Sequence, residues 1–350
     1  MKRFIRMAGG MNYMASYKQI AKLTGLSFGT ISNVINGKGT VKAENVEKVN
    51  MAIKQLEYRP NYQAKALASD KTWLLGVIVP SINDVRETEI FSYMEEFARS
   101  RGYRIMLATS QNSAKEEINQ CENMLSCQVD CLFIMPYSSE NKGYFQHLSE
   151  QMKDRIIFIN RYLEDVDIPF TVVDNDYAAE EIIRHVYEKG HRSAAFLDFK
   201  DREISSTRDR RKGIIKWSAR MGIECNIVDI ESTEEDEVAA GYRYAEKAIK
   251  NEGLPQLILA RDDAMAIGIY SACVDHGVRV PEDVSIVGFG KYYSDYMTPK
   301  KLTTFNRDFK SLLKRATDMF LAITNGETEN MERRIFIKGY MEKRDTVSKV

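Results

Sequence analysis

A chain of 350 residues is too long for one ordinary domain and suits two or three. Its 44% hydrophobic and 29% charged residues are ordinary for a globular protein and exclude a collagenous, low-complexity or disordered chain. The net charge is zero, yet residues 1–70 carry eleven Lys and Arg against four Asp and Glu. A basic head before an acidic body is the asymmetry expected where one end meets a polyanion; a solvated lysine-rich face is the plainer alternative.

Residues 1–13 show no periodicity and are expected to form a disordered extension, with Met14 as an alternative start. They are basic but lack the apolar stretch of a secretion signal. The longest apolar run of note, 73–79, is far below the ~18–20 residues a spanning helix needs. A cytoplasmic protein is therefore expected. The cysteines agree: Cys121, Cys127, Cys131, Cys225 and Cys273 form an odd set without C-x-x-C spacing. In a reducing compartment they read as small apolar residues, not as disulfides or metal ligands.

Residues 16–58 show only helical periodicity, and residues 14–59 are expected to form a helix-turn-helix domain. Ile20, Ala21 and Leu23 place apolar groups on a first helix, with Ala21 small where a second helix must cross. Gly25 follows four residues later, at a turn where a left-handed backbone is needed and glycine reaches it at little cost. Leu26 plugs the turn, and Ser27 is a natural N-cap. Ile31, Val34 and Ile35 then bury a second helix at i, i+3, i+4 spacing. Each feature alone is weak; the ordered set over twenty positions is strong. With the inner face assigned, Phe28, Gly29, Thr30, Ser32 and Asn33 face outward, where side chains would reach base edges in a major groove. A third helix over 43–56 is expected to close the core with Val46, Val49, Ile53 and Leu56. Lys18, Lys38 and Lys42 could pair with phosphates, which adds salt-sensitive affinity without sequence choice.

Residues 60–71 open with Pro60 and end in polar residues, as in a linker that could hold one brief helix. From there to residue 350 the pattern alternates. Strand-like apolar runs at 74–79, 105–108, 131–135, 156–159, 171–173, 194–197, 257–260 and 284–288 are separated by amphipathic stretches such as 89–101, 178–189, 212–221 and 238–251. Apolar runs between helices mean parallel strands covered on both faces, an α/β doubly wound architecture. Eight or more strands exceed one comfortable sheet, so two lobes are expected, with a ligand cleft beyond the carboxyl ends of their strands.

The head segments Ser16-Tyr17-Lys18-Gln19-Ile20-Ala21-Lys22-Leu23-Thr24-Gly25-Leu26-Ser27, Thr30-Ile31-Ser32-Asn33-Val34-Ile35-Asn36-Gly37 and Leu56-Glu57-Tyr58-Arg59-Pro60-Asn61 resemble those of the lactose/galactose-repressor (LacI/GalR) family. So do Gly190-His191-Arg192, Asp263-Ala264-Met265-Ala266-Ile267-Gly268, the run from Val280 to Phe289, and Leu302-Thr303-Thr304. The resemblance spans nearly the whole chain after Met14. It implies a transcription regulator, most often a repressor. Two heads of a homodimer would bind a near-palindromic operator in double-stranded DNA, under control of a small-molecule effector, with no cofactor and no membrane. It adds Tyr17, Ser27, Asn36, Tyr58, Asn61 and Ala64 to the DNA-contacting set. It also implies that the linker forms a hinge helix in the minor groove, with Lys65 near phosphates and Leu67 as an apolar wedge that kinks the duplex. Where the family usually has arginine, this chain has Asn33, so the two-pronged guanine contact is replaced by one suited to adenine or a phosphate.

For residues 72–350 the resemblance implies the periplasmic sugar-binding fold with three crossovers. Lobe 1 would comprise about 73–170 and 303–333, and lobe 2 about 171–302 and 334–345, including a last strand near 335–338. The implied effector contacts are Asp84, Asn160, Arg161, Arg208, Arg210, Asp262 and Phe289. Carboxylates that meet sugar hydroxyls in the family have become Asn160 and Gly290, while the arginines remain. Such a pocket suits an anionic ligand better than a neutral sugar. An altered sugar, or no tight ligand, are the alternatives.

An enzyme is not expected. His147, His185, His191 and His276 are scattered, there is no G-x-S-x-G elbow or P-loop, and Tyr293 stands where a dinucleotide loop starting at Gly288 needs glycine. A solute-binding sensor without DNA-directed regulation would fit residues 73–350 but leaves the head without a purpose. With no heptad tail before Val350, a dimer is expected, not a tail-built tetramer.

Overall fold

The computed structural model describes residues 17–35, 41–58, 71–82, 85–152, 154–200, 204–231, 236–251, 253–290 and 297–350. The chain divides into two compact units, one running to Thr72 and the other from Trp73 to Val350.

In the head, helices α1 (Tyr17–Thr24), α2 (Phe28–Ile35) and α3 (Ala43–Gln55) enclose a very small core. Ile20, Ile31, Val49 and Ala52 are buried, with Tyr17, Ala21, Leu26, Val34, Ile35, Ile53, Leu56 and Tyr58 packed around them. Two expectations change. Leu23 remains 48% exposed, because α1 has only two turns and its buried stripe is narrow. On α3, Ala52 takes the inner position expected of Val46, which stays partly exposed.

The second unit contains two six-stranded sheets. The first has strand order β11-β5-β4-β3-β1-β2, built from β1 (Leu74–Val79), β2 (Arg104–Thr109), β3 (Cys131–Ile134), β4 (Ile156–Ile159), β5 (Phe170–Val173) and β11 (Arg334–Ile337). Every pairing in it is parallel. Alternating residues of β1 fill opposite cores. Leu75, Val77 and Val79 meet helices α4 (Val85–Ser100) and α11 (Phe309–Asn325), while Ile78 meets α5 (Ala114–Ser126) and α6 (Lys142–Met152).

The second sheet runs β12-β10-β9-β8-β6-β7, from β6 (Ser193–Phe199), β7 (Glu224–Ile230), β8 (Leu257–Ala260), β9 (Ser285–Gly290), β10 (Thr303–Asn306) and β12 (Tyr340–Glu342). Only the β10–β12 pairing is antiparallel. Helices α7 (Asn175–Glu188) and α8 (Ser205–Met221) cover one face, and α9 (Glu237–Asn251) and α10 (Asp263–Asp275) the other. The last two helices touch backbone to backbone: a Cβ placed on Gly268 would lie 1.9 Å from the Val238 carbonyl oxygen.

The final crossovers fall differently from the expected lobe boundaries. Residues 303–306 pair with β9 in the second sheet, and 334–337 pair with β5 in the first. Helix α11 packs on the first sheet between them. A four-residue strand carries no local mark of the sheet it joins; the partner decides, and for 334–337 that partner is the distant β5.

Candidate functional site

In the head, α1 stops where Gly25 takes φ +69°, its N–H still donating to the Ala21 carbonyl at 2.8 Å. The chain reverses through Leu26, and the Ser27 hydroxyl caps α2 by accepting from the Thr30 N–H at 3.2 Å. Phe28 stands 57% exposed at the start of α2, with Gly29 exposed and Thr30, Ser32 and Asn33 partly exposed along it. Lys18 is exposed on α1. Tyr17 and Tyr58 stack at 5.9 Å, both half-buried against the small core. Ser27, Phe28, Gly29, Thr30, Ser32 and Asn33 are thus brought onto one short helix and its cap. The expected contacts Asn36, Lys38, Asn61, Ala64, Lys65 and Leu67 lie outside the described residues, as does Asp84 of the second unit.

In the second unit, a cavity of about 180 Å³ lies at the carboxyl ends of β3 and β4, against the amino end of α8. Pro136, Ser138, Ser139, Lys142, Arg161 and Glu164 line it from the first lobe, and Ile204, Ser205 and Arg208 from the second. Arg161 is 7% exposed and donates to the Pro136 carbonyl at 2.9 Å. That carbonyl sits on a loop held from beneath by Glu117, which accepts from Tyr137 N–H at 2.6 Å and Asn141 Nδ2 at 2.8 Å. Burial raises the Glu117 carboxyl above the ordinary range for glutamate.

The two lobes are clasped beside this cavity. The Tyr162 N–H donates to Ser205 Oγ at 2.9 Å, and its hydroxyl donates to Asp209 at 2.9 Å. Burial, then the bond to Asp209, pushes that hydroxyl up to about 12, so it stays a neutral donor. Arg208 reaches Glu164 at 3.0 Å and Asp209 at 2.9 Å.

Arg210, two residues further along α8, turns away into the second lobe. Its guanidinium lies 3.8 Å from the centre of the Phe289 ring and donates to Asn175 Oδ1 at 3.4 Å and to the Arg261 carbonyl. Phe289 stacks on Phe305 at 5.4 Å, with Arg307 at 5.3 Å from its ring. Arg261 follows β8 and pairs with Asp262 at 3.2 Å and Asp198 at 3.9 Å. Burial raises the Asp198 carboxyl, with Arg261 and Arg210 pulling the other way. Asp262 itself caps α10, accepting from Met265 N–H at 2.9 Å. Asn160 is buried at φ +61°, its amide directed at Met135 Sδ, 3.3 Å away.

Of the expected effector residues, Arg161 and Arg208 therefore share the cavity. Arg210, Phe289 and Asp262 gather in a separate arginine and aromatic cluster at the carboxyl ends of the second sheet. Lys142, Tyr162, Glu164, Ser205, Arg261 and Arg307 escaped the sequence reading. For Arg261, its place directly after a buried apolar strand was the available signal; Lys142 and Ser205 open helices, Tyr162, Glu164 and Arg307 lie in loops, and none of these carries such a mark. Among the described residues no group of His, Cys, Asp and Glu could hold a metal ion, and no helix is long and apolar enough to cross a membrane.

Two family models match the chain: bacterial regulatory proteins of the lacI family over residues 16–61, and the periplasmic binding protein-like domain over residues 183–347. Catabolite control protein A of Priestia megaterium is 28% identical over 314 residues, covering 88% of this chain and 92% of that protein. Its Staphylococcus aureus counterpart is 31% identical over 272 residues, 77% of this chain and 80% of that one. The transcriptional repressor PurR of Pasteurella multocida is 28% identical over 332 residues, with 90% and 94% coverage. Among solved structures, the lac repressor dimer bound to operator and an anti-inducer superposes with a TM-score of 0.81 at 22% identity, over 95% of this chain and 99% of that one. A lacI-family regulator from Silicibacter pomeroyi gives 0.76 at 20% identity, with 95% and 99% coverage; at such identities the likeness concerns the fold. The capped helix-turn-helix, the two-sheet body and the relative 31% identical over most of its length lead to one conclusion: the chain belongs to the lacI family of bacterial regulatory proteins and is a DNA-binding transcriptional regulator.

Proposed function

We propose that this regulator is a cytoplasmic repressor that binds a near-palindromic operator as a homodimer and leaves it when a small-molecule effector, a sugar or sugar derivative, occupies the cleft between the lobes of its second unit. The observation that carries the reading is the head: a helix-turn-helix closed by a small core around Ile20, Ile31, Val49 and Ala52 leaves Phe28, Gly29, Thr30, Ser32 and Asn33 on the outer side of α2. Those residues would read base edges, and Tyr17, Lys18, Ser27, Asn36, Lys38 and Tyr58 would anchor the head to the backbone. One head has a small footprint, so useful selectivity requires two heads on two half-sites. Asn61, Ala64, Lys65 and Leu67 would engage the minor groove between them.

The relatives' names support repression, since PurR of Pasteurella multocida is itself a transcriptional repressor. The clasped cavity supports an effector that acts on lobe closure, since its walls come from both lobes. Selection of bound sites from random DNA by the full-length protein tests the reading. A two-fold symmetric consensus is expected, bound by a dimer. Binding to random competitor as strong as to any selected site would overturn it.

A further inference from the structure

The cavity between the lobes is cationic. Lys142, Arg161 and Arg208 line it with the hydroxyls of Ser138, Ser139 and Ser205, against one acidic side chain in the lining, Glu164; outside the lining, Asp165 and Asp209 pair with Lys142 and Arg208 at 2.8 and 2.9 Å. Arg161 and Ser205 are 7% and 5% exposed, so these groups act in a desolvated place where a charge-assisted bond is strong. Ser205 Oγ already accepts the Tyr162 N–H, which leaves its own proton to donate into the cavity. The adjoining first turns of α6 and α8 contain no acidic residue that would neutralise their positive ends.

Glu164 shows what the site prefers. Its carboxylate comes from the first lobe and meets the Arg208 guanidinium at 3.0 Å, although the glutamate side chain is 57% exposed. An exposed ion pair of this kind contributes little. It does, however, occupy the side of Arg208 where an oxyanion of a ligand would bind.

We propose that the effector carries an anionic group, phosphate or carboxylate, gripped by Arg161, Arg208 and the Ser205 hydroxyl, and that it displaces Glu164 from Arg208. This rests on reading the cavity as the effector site. Glu164 is then a self-competitor: together with Asp209 it satisfies Arg208 in the empty protein, and as the partner that also faces the cavity it holds down affinity for the anion. Its removal should tighten binding, the opposite of what a residue with a merely structural role would do.

The test uses full-length protein and the bare anions, inorganic phosphate and acetate, each titrated against chloride at matched ionic strength and read as thermal stabilisation. A saturable rise is expected with at least one of them, and which one identifies the group recognised. Arg161→Gln and Arg208→Gln should each weaken it about 10-fold or more, the loss of one charge-assisted bond. Glu164→Gln should lower the half-saturating concentration about 2- to 5-fold, the worth of an exposed ion pair. No saturable rise in the parent protein, or an equal rise in all four proteins from general salting, would overturn the proposal. So would weaker binding by Glu164→Gln, an arm that stands even if an arginine variant fails to fold. Operator binding measured in parallel separates the two readings: a protein that selects its operator but ignores both anions sinks only the anionic ligand.

Discussion

Ile31 is where the smallness of the head core becomes a functional liability. Its side chain is fully buried, one of four buried residues between three short helices among the described residues. Ile31→Ala leaves a cavity with little structure around it to collapse, and such truncations cost about 2–5 kcal/mol. A head of roughly forty residues, at about 0.05–0.15 kcal/mol per residue, has only about 2–6 kcal/mol of stability to lose. The two ranges overlap almost completely, so the variant head should be at or past its unfolding midpoint at 25 °C. The second unit has its own cores and should be unaffected. Calorimetry should show the head transition lowered or gone with the larger transition unmoved, and fluorescence anisotropy should show operator affinity reduced about 4-fold or more, since both heads must be folded at once. Ile31→Val, at about 0.5–1.5 kcal/mol, should leave the head folded and binding nearly intact. An alanine variant that keeps its operator affinity within a factor of about two, with head amides still protected from exchange, would refute this reasoning.

Three further predictions follow from other parts of the molecule. In Gly268→Ala the new methyl would lie 1.9 Å from the Val238 carbonyl oxygen and 2.8 Å from the Tyr242 nitrogen, both backbone atoms. Helices α9 and α10 must separate, at the upper end of overpacking costs, about 3 kcal/mol, so the second unit should melt roughly 6–12 °C lower; an unchanged melting temperature would contradict the contact. His185 on α7 is buried, and desolvation, helped by Lys343 and Lys189, lowers its imidazole to about 4. The folded state therefore favours the neutral ring: its contribution is complete above pH ~6.5, where the unfolded chain also holds it neutral, and is lost as pH falls toward 4. His185→Asn should flatten that limb of a urea stability profile by up to about 3 kcal/mol; an identical pH slope in both proteins would count against it. Lys18→Ala should weaken operator and random DNA alike and reduce the slope of log affinity against log salt by about one; a loss confined to the operator would instead make Lys18 a base reader.

What could be read from the residues alone was local or repeated. The order Ala21, Gly25, Ser27, Ile31, Val34, Ile35 spells out a helical hairpin, because every contact it needs lies within some fifteen residues and the turn demands a left-handed glycine. The central strands were legible because strands covered on both faces are uninterrupted apolar runs. Strand β7 was missed: at the sheet edge, Glu224-Cys225-Asn226-Ile227-Val228-Asp229-Ile230 alternates in burial and carries polar residues. Strand β12, three residues long at the opposite edge, gave no signal either.

Only tertiary structure decided which lobe each late strand joins, and which arginines meet. Arg208 and Arg210 are two positions apart on α8, yet one lines the cleft beside Glu164 while the other enters the second lobe to lie on Phe289. Residues two apart on a helix point some 200° away from each other, so their neighbours are unrelated in sequence. The clasp of Tyr162 and Glu164 against Ser205, Arg208 and Asp209 joins residues about forty apart in the chain. Those partners meet because two independently packed sheets set their loops face to face, and that placement is a property of the whole fold.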